Sequence, residues 1–197
     1  MLVIEDVSIK DVWKKSKELI LKNGKQIKDG SDVLSELLNL FLKITDPETS
    51  SEERIVEDQN LKTWMMQNFQ DIKLIPELHN SKSYAWRLYL YNGKDQIKWI
   101  IDRLIKKPES KSATITTFLP FEDEKYVPCV SLLDFKIREN ALILTTTCRS
   151  LDFGMKALYN LYCLSDILHH IASSLHINKM ILQVHVISAH VYEKDVK

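Results

Sequence analysis

Residues 130–192 restrict the possible folds of this chain more than any other segment. Two runs rich in β-branched and apolar residues, 130–137 and 141–147, flank Arg138-Glu139-Asn140, and read as two strands of a hairpin. Residues 157–175 then carry the strongest helical pattern in the chain, with Leu158, Leu161, Leu164, Leu168, Ile171 and Leu175 on one stripe. Residues 179–192 read as a long final strand. A helix with such a stripe, set among strands, buries it by lying on a sheet.

Upstream, helical patterns dominate. Residues 8–21 place Val12, Trp13, Ser16, Leu19 and Ile20 on one face, and Asn23-Gly24 ends the run. Ser31-Asp32 is expected to cap a second helix, with Val33, Leu34, Leu37, Leu38, Phe41 and Leu42 toward the core and Asp46-Pro47 as its stop. Residues 45–57 are polar and read as a loop, and residues 58–69 as a third helix. Residues 70–83 carry no clear pattern. Residues 94–106 are helical up to Pro108, and residues 113–118 form a strand. Helices first and strands mostly later define an α+β fold, expected as one domain over residues 1–197.

Bulk properties exclude several functions. Lys and Arg total 27 and so do Asp and Glu, so there is no basic excess of the kind that binds nucleic acid. No apolar run reaches the roughly 18 residues that span a bilayer. The start, Met1-Leu2-Val3-Ile4-Glu5-Asp6, has neither the basic nor the apolar block of a signal peptide. Three cysteines at wide spacing make neither a disulfide framework nor a zinc site, and no metal is expected. The expected setting is the cytoplasm, where Cys129 stays a free thiol.

The residues that carry chemistry cluster in the last third. Cys129 follows Pro128 at the start of a strand, and alternation puts it on one face with Ser131, Leu133 and Phe135. The hairpin can return Arg149 to its neighbourhood, where a cation favours thiolate and binds a substrate anion. On these grounds alone Cys129 is either a nucleophile or a packing thiol. Cys148 and Cys163 read as structural. Asn160 sits in the long helix, close after Asp152 and Gly154, and His190 and Tyr192 share a face at the end of the last strand.

In order and spacing these residues resemble the thymidylate synthase family. The resemblance implies that Cys129 adds to C6 of a pyrimidine, that Arg149 and Ser150 bind its phosphate, and that Asp152 contacts the pterin of the cofactor. It implies further that Asn160 reads the edge of uracil, where an aspartate would favour cytosine, and that His190 and Tyr192 hold the sugar 3′-hydroxyl. Upstream, Glu36 and Tyr84 match proton-moving residues and Trp64 a residue beside the cofactor. The implied fold is a mixed β-sheet with helices packed on one face, pairing sheet to sheet as a homodimer. The implied cofactor is 5,10-methylenetetrahydrofolate or methylene-tetrahydromethanopterin.

The departures are specific. Lys111-Ser112 stands where the family has two arginines that reach the partner subunit's phosphate site, so Lys111 keeps one point charge of the pair. Lys22, Lys25 or Lys28 replaces the family's N-terminal arginine loop. Val130 follows the cysteine where histidine is usual, and Lys156 replaces a glycine at the cofactor site. The sequence given ends soon after Tyr192, as in the shortened archaeal members. The expected activity is methyl transfer to dUMP. The alternatives are hydroxymethyl transfer on the same scaffold and nucleotide binding without catalysis.

Overall fold

The computed structural model describes residues 2–47 and 54–196. Part of the expected loop at 45–57 therefore lies outside the described residues. Seven strands form the main sheet, with β1 (Leu2–Asp6) and β2 (Lys25–Asp29) both paired to β3 (Asp32–Ile44). From β3 the order continues through β9 (Lys179–Tyr192), β8 (Ala141–Asp152), β7 (Val130–Arg138) and β6 (Thr114–Thr116). β1 runs parallel to β3 and β8 parallel to β9, while the other pairs are antiparallel, so the sheet is mixed as expected. β4 (Leu74–Ile75) and β5 (Ser81–Lys82) make a separate two-stranded ribbon in the stretch that had no readable pattern.

The helices α1 (Ile9–Asn23), α2 (Gln59–Gln70), α4 (Gln96–Lys106) and α5 (Ala157–Ser174) match their expected positions within a few residues. Their starts have ordinary physical causes. Ser8 Oγ accepts from the Asp11 amide at 3.1 Å, and Asp58 and Asp95 cap α2 and α4 in the same way. The short α3 (Tyr84–Tyr89), capped by Ser83, was not expected. The β7–β8 hairpin turns at Glu139 and Asn140, both with positive φ, which suits the right-handed twist of the strands it joins.

The segment 32–44 is the main correction, because it is a strand and not a helix. Ser31 does not cap it. Gly30, at φ +61°, and Ser31 turn the chain between the paired residues Asp29 and Asp32. Leu40, Leu42 and Ile44 are buried and alternate with the half-buried Phe41 and Lys43, a period of two. Asn39, at φ +58°, interrupts the strand and breaks that alternation midway, so the apolar positions on both sides of it mimic a helical spacing. β1 and β2 were also not expected. Both are edge strands with mostly exposed residues, and they carry little alternation to read.

One sheet face and the helices form a continuous core. Leu142, Leu144 and Cys148 of β8 and Leu182, Val184 and Val186 of β9 point into it, together with the inner stripe of α5. The opposite face is not covered by any helix among the described residues. It carries Phe41 stacked on His185 at 4.3 Å, and the exposed Leu132 and Ile187. Gly24 joins α1 to β2 at a point of close approach. A Cβ there would lie 2.5 Å from the Ile20 carbonyl oxygen and 3.0 Å from the Glu36 amide. Gly24→Ala is therefore expected to destabilise the fold by about 1–3 kcal/mol in urea unfolding. Unchanged stability would show that the helix end relaxes freely.

Candidate active site

A cavity of about 500 Å³ opens where β9 and β8 end and β3 begins. Its size is ordinary for a small-molecule site. Strand register supplies its floor. Glu36 pairs with His190 across β3 and β9, and His190 pairs with Asp152 across β9 and β8. One step further in, Ser188 pairs with Ser150. Side chains that are lateral neighbours in a sheet project to the same face. A row of polar groups therefore faces one hollow. Ser188 Oγ donates to the Glu36 carboxylate and fixes it.

Of the residues singled out from sequence, Cys129, Glu36, Tyr84, Arg149, Ser150, Asn160, His190, Tyr192, Asp152 and Trp64 all line this cavity. Lys111 does not, and is exposed in the turn before β6. Cys129 is a free, half-buried thiol just before β7. Its Sγ lies 3.6 Å from Ser150 Oγ. The Arg149 guanidinium is exposed but anchored, donating to the Val127 carbonyl from Nε at 3.1 Å and Nη2 at 2.7 Å. Its Nη1 donates to Ser150 Oγ at 3.1 Å. The Arg149 amide donates to the Cys129 carbonyl at 2.8 Å. The cation is thus tied to the segment that carries the thiol. Cys148 and Cys163 are buried as expected, and burial pushes both thiols far up.

Asn160 is buried in the first turns of α5. Its Nδ2 donates to the Lys156 carbonyl at 3.1 Å, while Oδ1 is buried without a partner. An orphaned acceptor on a cavity wall calls for an N–H donor from a ligand. Tyr192 donates to Asp29 Oδ2 at 2.6 Å, and His190 meets the Tyr192 ring edge-on at 5.3 Å. The Tyr84 hydroxyl is fully buried and accepts the Val130 amide at 2.9 Å. Burial raises that phenol well above its ordinary value.

Three further lining residues stand outside that set. Lys28, one of three lysines considered for the missing arginine loop, lines the cavity from β2. Lys156 lines it with its ammonium 5.3 Å over the Trp64 ring. Tyr126, three residues before the cysteine, lines it too. Only nearness in sequence could have pointed to Tyr126.

With this geometry in view, the chain belongs to the thymidylate synthase family. The family model described as thymidylate synthase matches residues 24–197. A Methanosarcina mazei protein named "Putative thymidylate synthase" is 34% identical over 98% of this chain and 90% of its own length. A Methanothermobacter thermautotrophicus protein of the same printed name is 31% identical over 98% of this chain and 95% of its own.

Asp152 supplies a test of this electrostatic picture. Burial raises its carboxyl above the ordinary range, opposed by His190 and by the Gly154 amide that donates to Oδ1 at 2.9 Å. The unfolded chain then loses this proton first as pH rises. Stability is lost from the ordinary carboxylate range upward and levels off above the folded value. Asp152→Asn removes that titration. Its melting temperature relative to the parent is expected to be higher near pH 7 than near pH 3–4. A difference that is flat with pH would show that Asp152 is not held protonated by burial.

Proposed function

We propose that this protein is a methyltransferase that moves a one-carbon unit from a methylene-charged reduced pterin to C5 of dUMP, through a Cys129–C6 covalent intermediate. The observation that carries this reading is a single cavity joining a free thiol, an anchored guanidinium and an orphaned amide acceptor. These three groups suit, in turn, an electrophilic ring carbon, a phosphate and a ring N–H.

The phosphate lies at Arg149 and Ser150, with Lys28 adding charge from the β2–β3 hairpin and Lys111 reaching in from the partner subunit. Asn160 Oδ1 accepts from N3–H of uracil, a hydrogen that cytosine lacks. His190 and Tyr192 hold the sugar hydroxyl, and Asp29 orients the phenol of Tyr192. The Cys129 sulfur adds to C6, and the displaced π pair makes C5 nucleophilic. Glu36, fixed by Ser188, and Tyr84 move protons near the base.

The cavity fits a pterin. A flat, donor-rich ring suits the Trp64 indole and the buried Asp152 carboxyl, which line the cavity with Lys156. When bound, the reduced pterin would supply the methylene carbon and, for a methylated product, the hydride that reduces it to the methyl level. Both the folate and the methanopterin form present such a ring. The free thiols suit the cytoplasm, and the chain acts as one domain.

The uncovered sheet face supports a homodimer paired sheet to sheet. Sedimentation is expected to give twice the 23.0 kDa chain mass. Ile187→Glu on that face is expected to sediment as a monomer, and an unchanged dimer would move the interface elsewhere.

The decisive assay is mass spectrometry of dUMP after incubation with the protein and each methylene-charged pterin. A methylated product is expected, with none from dCMP. Cys129→Ser is expected to lower turnover by at least ~10³-fold while the protein stays folded. A hydroxymethylated product would reassign the reaction to hydroxymethyl transfer. Unchanged dUMP with both donors would overturn the reading.

A further inference from the structure

Asn68 lies in α2, only 3% exposed, and lines the cavity. Its Oδ1 accepts the Tyr84 amide at 2.9 Å. Tyr84 opens α3, so this amide is one of the first N–H groups of a helix, which have no partner within it. α3 is itself held firmly. Ser83 caps it, and the Tyr84 ring stacks on Phe69 at 4.2 Å. The fully buried Arg87 of α3 donates to the carbonyls of Lys82 at 2.9 Å and Thr117 at 2.8 Å, and to both carboxylate oxygens of Asp123. The acceptor side of the Asn68 amide is thus pinned to a rigid element. Its donor side is free, because among the described residues Nδ2 meets no acceptor.

Asn160 shows the mirror arrangement. Its Nδ2 is held by the Lys156 carbonyl, and its Oδ1 is buried without a partner. A backbone N–H only donates and a carbonyl only accepts, so neither amide can be turned over without losing its bond. The cavity wall therefore offers one fixed N–H and one fixed oxygen, from residues 3% and 4% exposed. Burying a polar group without a partner costs free energy, so both point to a ligand. A ring lactam, with a carbonyl oxygen beside an N–H, presents the complementary pair. Uracil and the pterin ring each contain one. A phosphate matches Asn68 poorly, because a neutral amide competes badly for it with the Arg149 guanidinium. The neighbours of Asn68 one turn back on α2, Trp64 and Met65, are uncharged and line the same cavity.

We propose that Asn68 is a further binding residue, donating from Nδ2 to a ring carbonyl oxygen of the bound lactam. This deepens the reading of the cavity as a site for dUMP and a pterin, and rests on it. The amino group of Asn160 is turned to the Lys156 carbonyl, so the contacts to the lactam are divided. α5 supplies the acceptor and α2 the donor. At the ring carbon that Asn68 faces, a carbonyl is favoured over an amino group, which would set donor against donor.

The test begins with the unaltered protein. Heteronuclear NMR follows the Asn68 side-chain amide, identified by its NOE to the Tyr84 amide, while dUMP and then a reduced pterin are added. One of its protons is expected to move downfield and to exchange more slowly with water. A response to dUMP alone puts the acceptor on the pyrimidine, and a response only after the pterin puts it on the pterin. No response to either ligand at saturation would overturn the role of Asn68. Asn68→Asp keeps an acceptor for the Tyr84 amide and removes the N–H. At about pH 8, where the carboxylate is ionised, it is expected to melt close to the parent and to bind the responding ligand at least ~10-fold more weakly by calorimetry. Asn68→Leu, which lacks both groups, is expected to melt well below the other two. A merely structural role would show itself as unchanged affinity in Asn68→Asp, and would overturn the proposal. A wild-type protein that binds neither dUMP nor the pterin would overturn the reading of the cavity, and the role of Asn68 with it.

Discussion

The pairing of β3 with β9, and of β9 with β8, is the constraint from which the site follows. It sets Glu36 opposite His190 and His190 opposite Asp152. A slip of one residue in either pairing would turn a whole strand of side chains to the other face and remove the polar row. The slip is opposed by the core, because the same register buries Leu42, Val184 and Thr146 beneath the helices. Function at the strand ends is thus held in place by apolar packing several residues away. The parallel β8–β9 pair needs a crossover, and α5 supplies it while carrying Asn160 to the cavity wall.

Cys129 is positioned by charge more than by packing. Cys129 lies outside the regular strand, at the end of a long irregular segment. Two guanidiniums hold that segment, each donating to backbone carbonyls. Arg149 is exposed and can serve a ligand as well as the chain. Arg87 is sealed inside, with its charge matched by Asp123. Removing one partner of such a buried pair leaves an uncompensated charge, at a cost of about 3–5 kcal/mol. The division of labour is physical. Arg87 is sealed in the interior, so of these two guanidiniums only that of Arg149 is open to a ligand.

What was legible in the sequence depended on how local the signal was. The β7–β8 hairpin, α5 and β9 were readable because their periods are clean and their turn residues ordinary. Asn39 hid β3 by breaking a period of two into something that looks helical, and Glu36 reached the site on a strand instead of a helix. β1 and β2 were missed because edge strands bury too little to show alternation. The residues singled out from their order along the chain line one cavity, all but Lys111, independent of whether the element beneath each was read correctly. Lys28 and Tyr126 were harder, because their places on the cavity wall come from what stands opposite them in space. Lys28 depends on a hairpin that was read as the approach to a helix, and Tyr126 on a loop held by Arg87.

The departures from the family pattern now have a common physical sense. Lys156 replaces a glycine, and its ammonium lies over the Trp64 ring. The cation is held by the indole face, and because the residue is exposed its charge is screened by solvent. Lys28 lines the cavity where β2 meets β3. Both replacements are lysines, whose flexible stems and compact charge attract an anion without imposing the planar geometry of an arginine fork. The two lysines therefore offer the cavity wall an undirected positive charge. The directed contacts are left to Arg149, Ser150 and the unpartnered oxygen of Asn160.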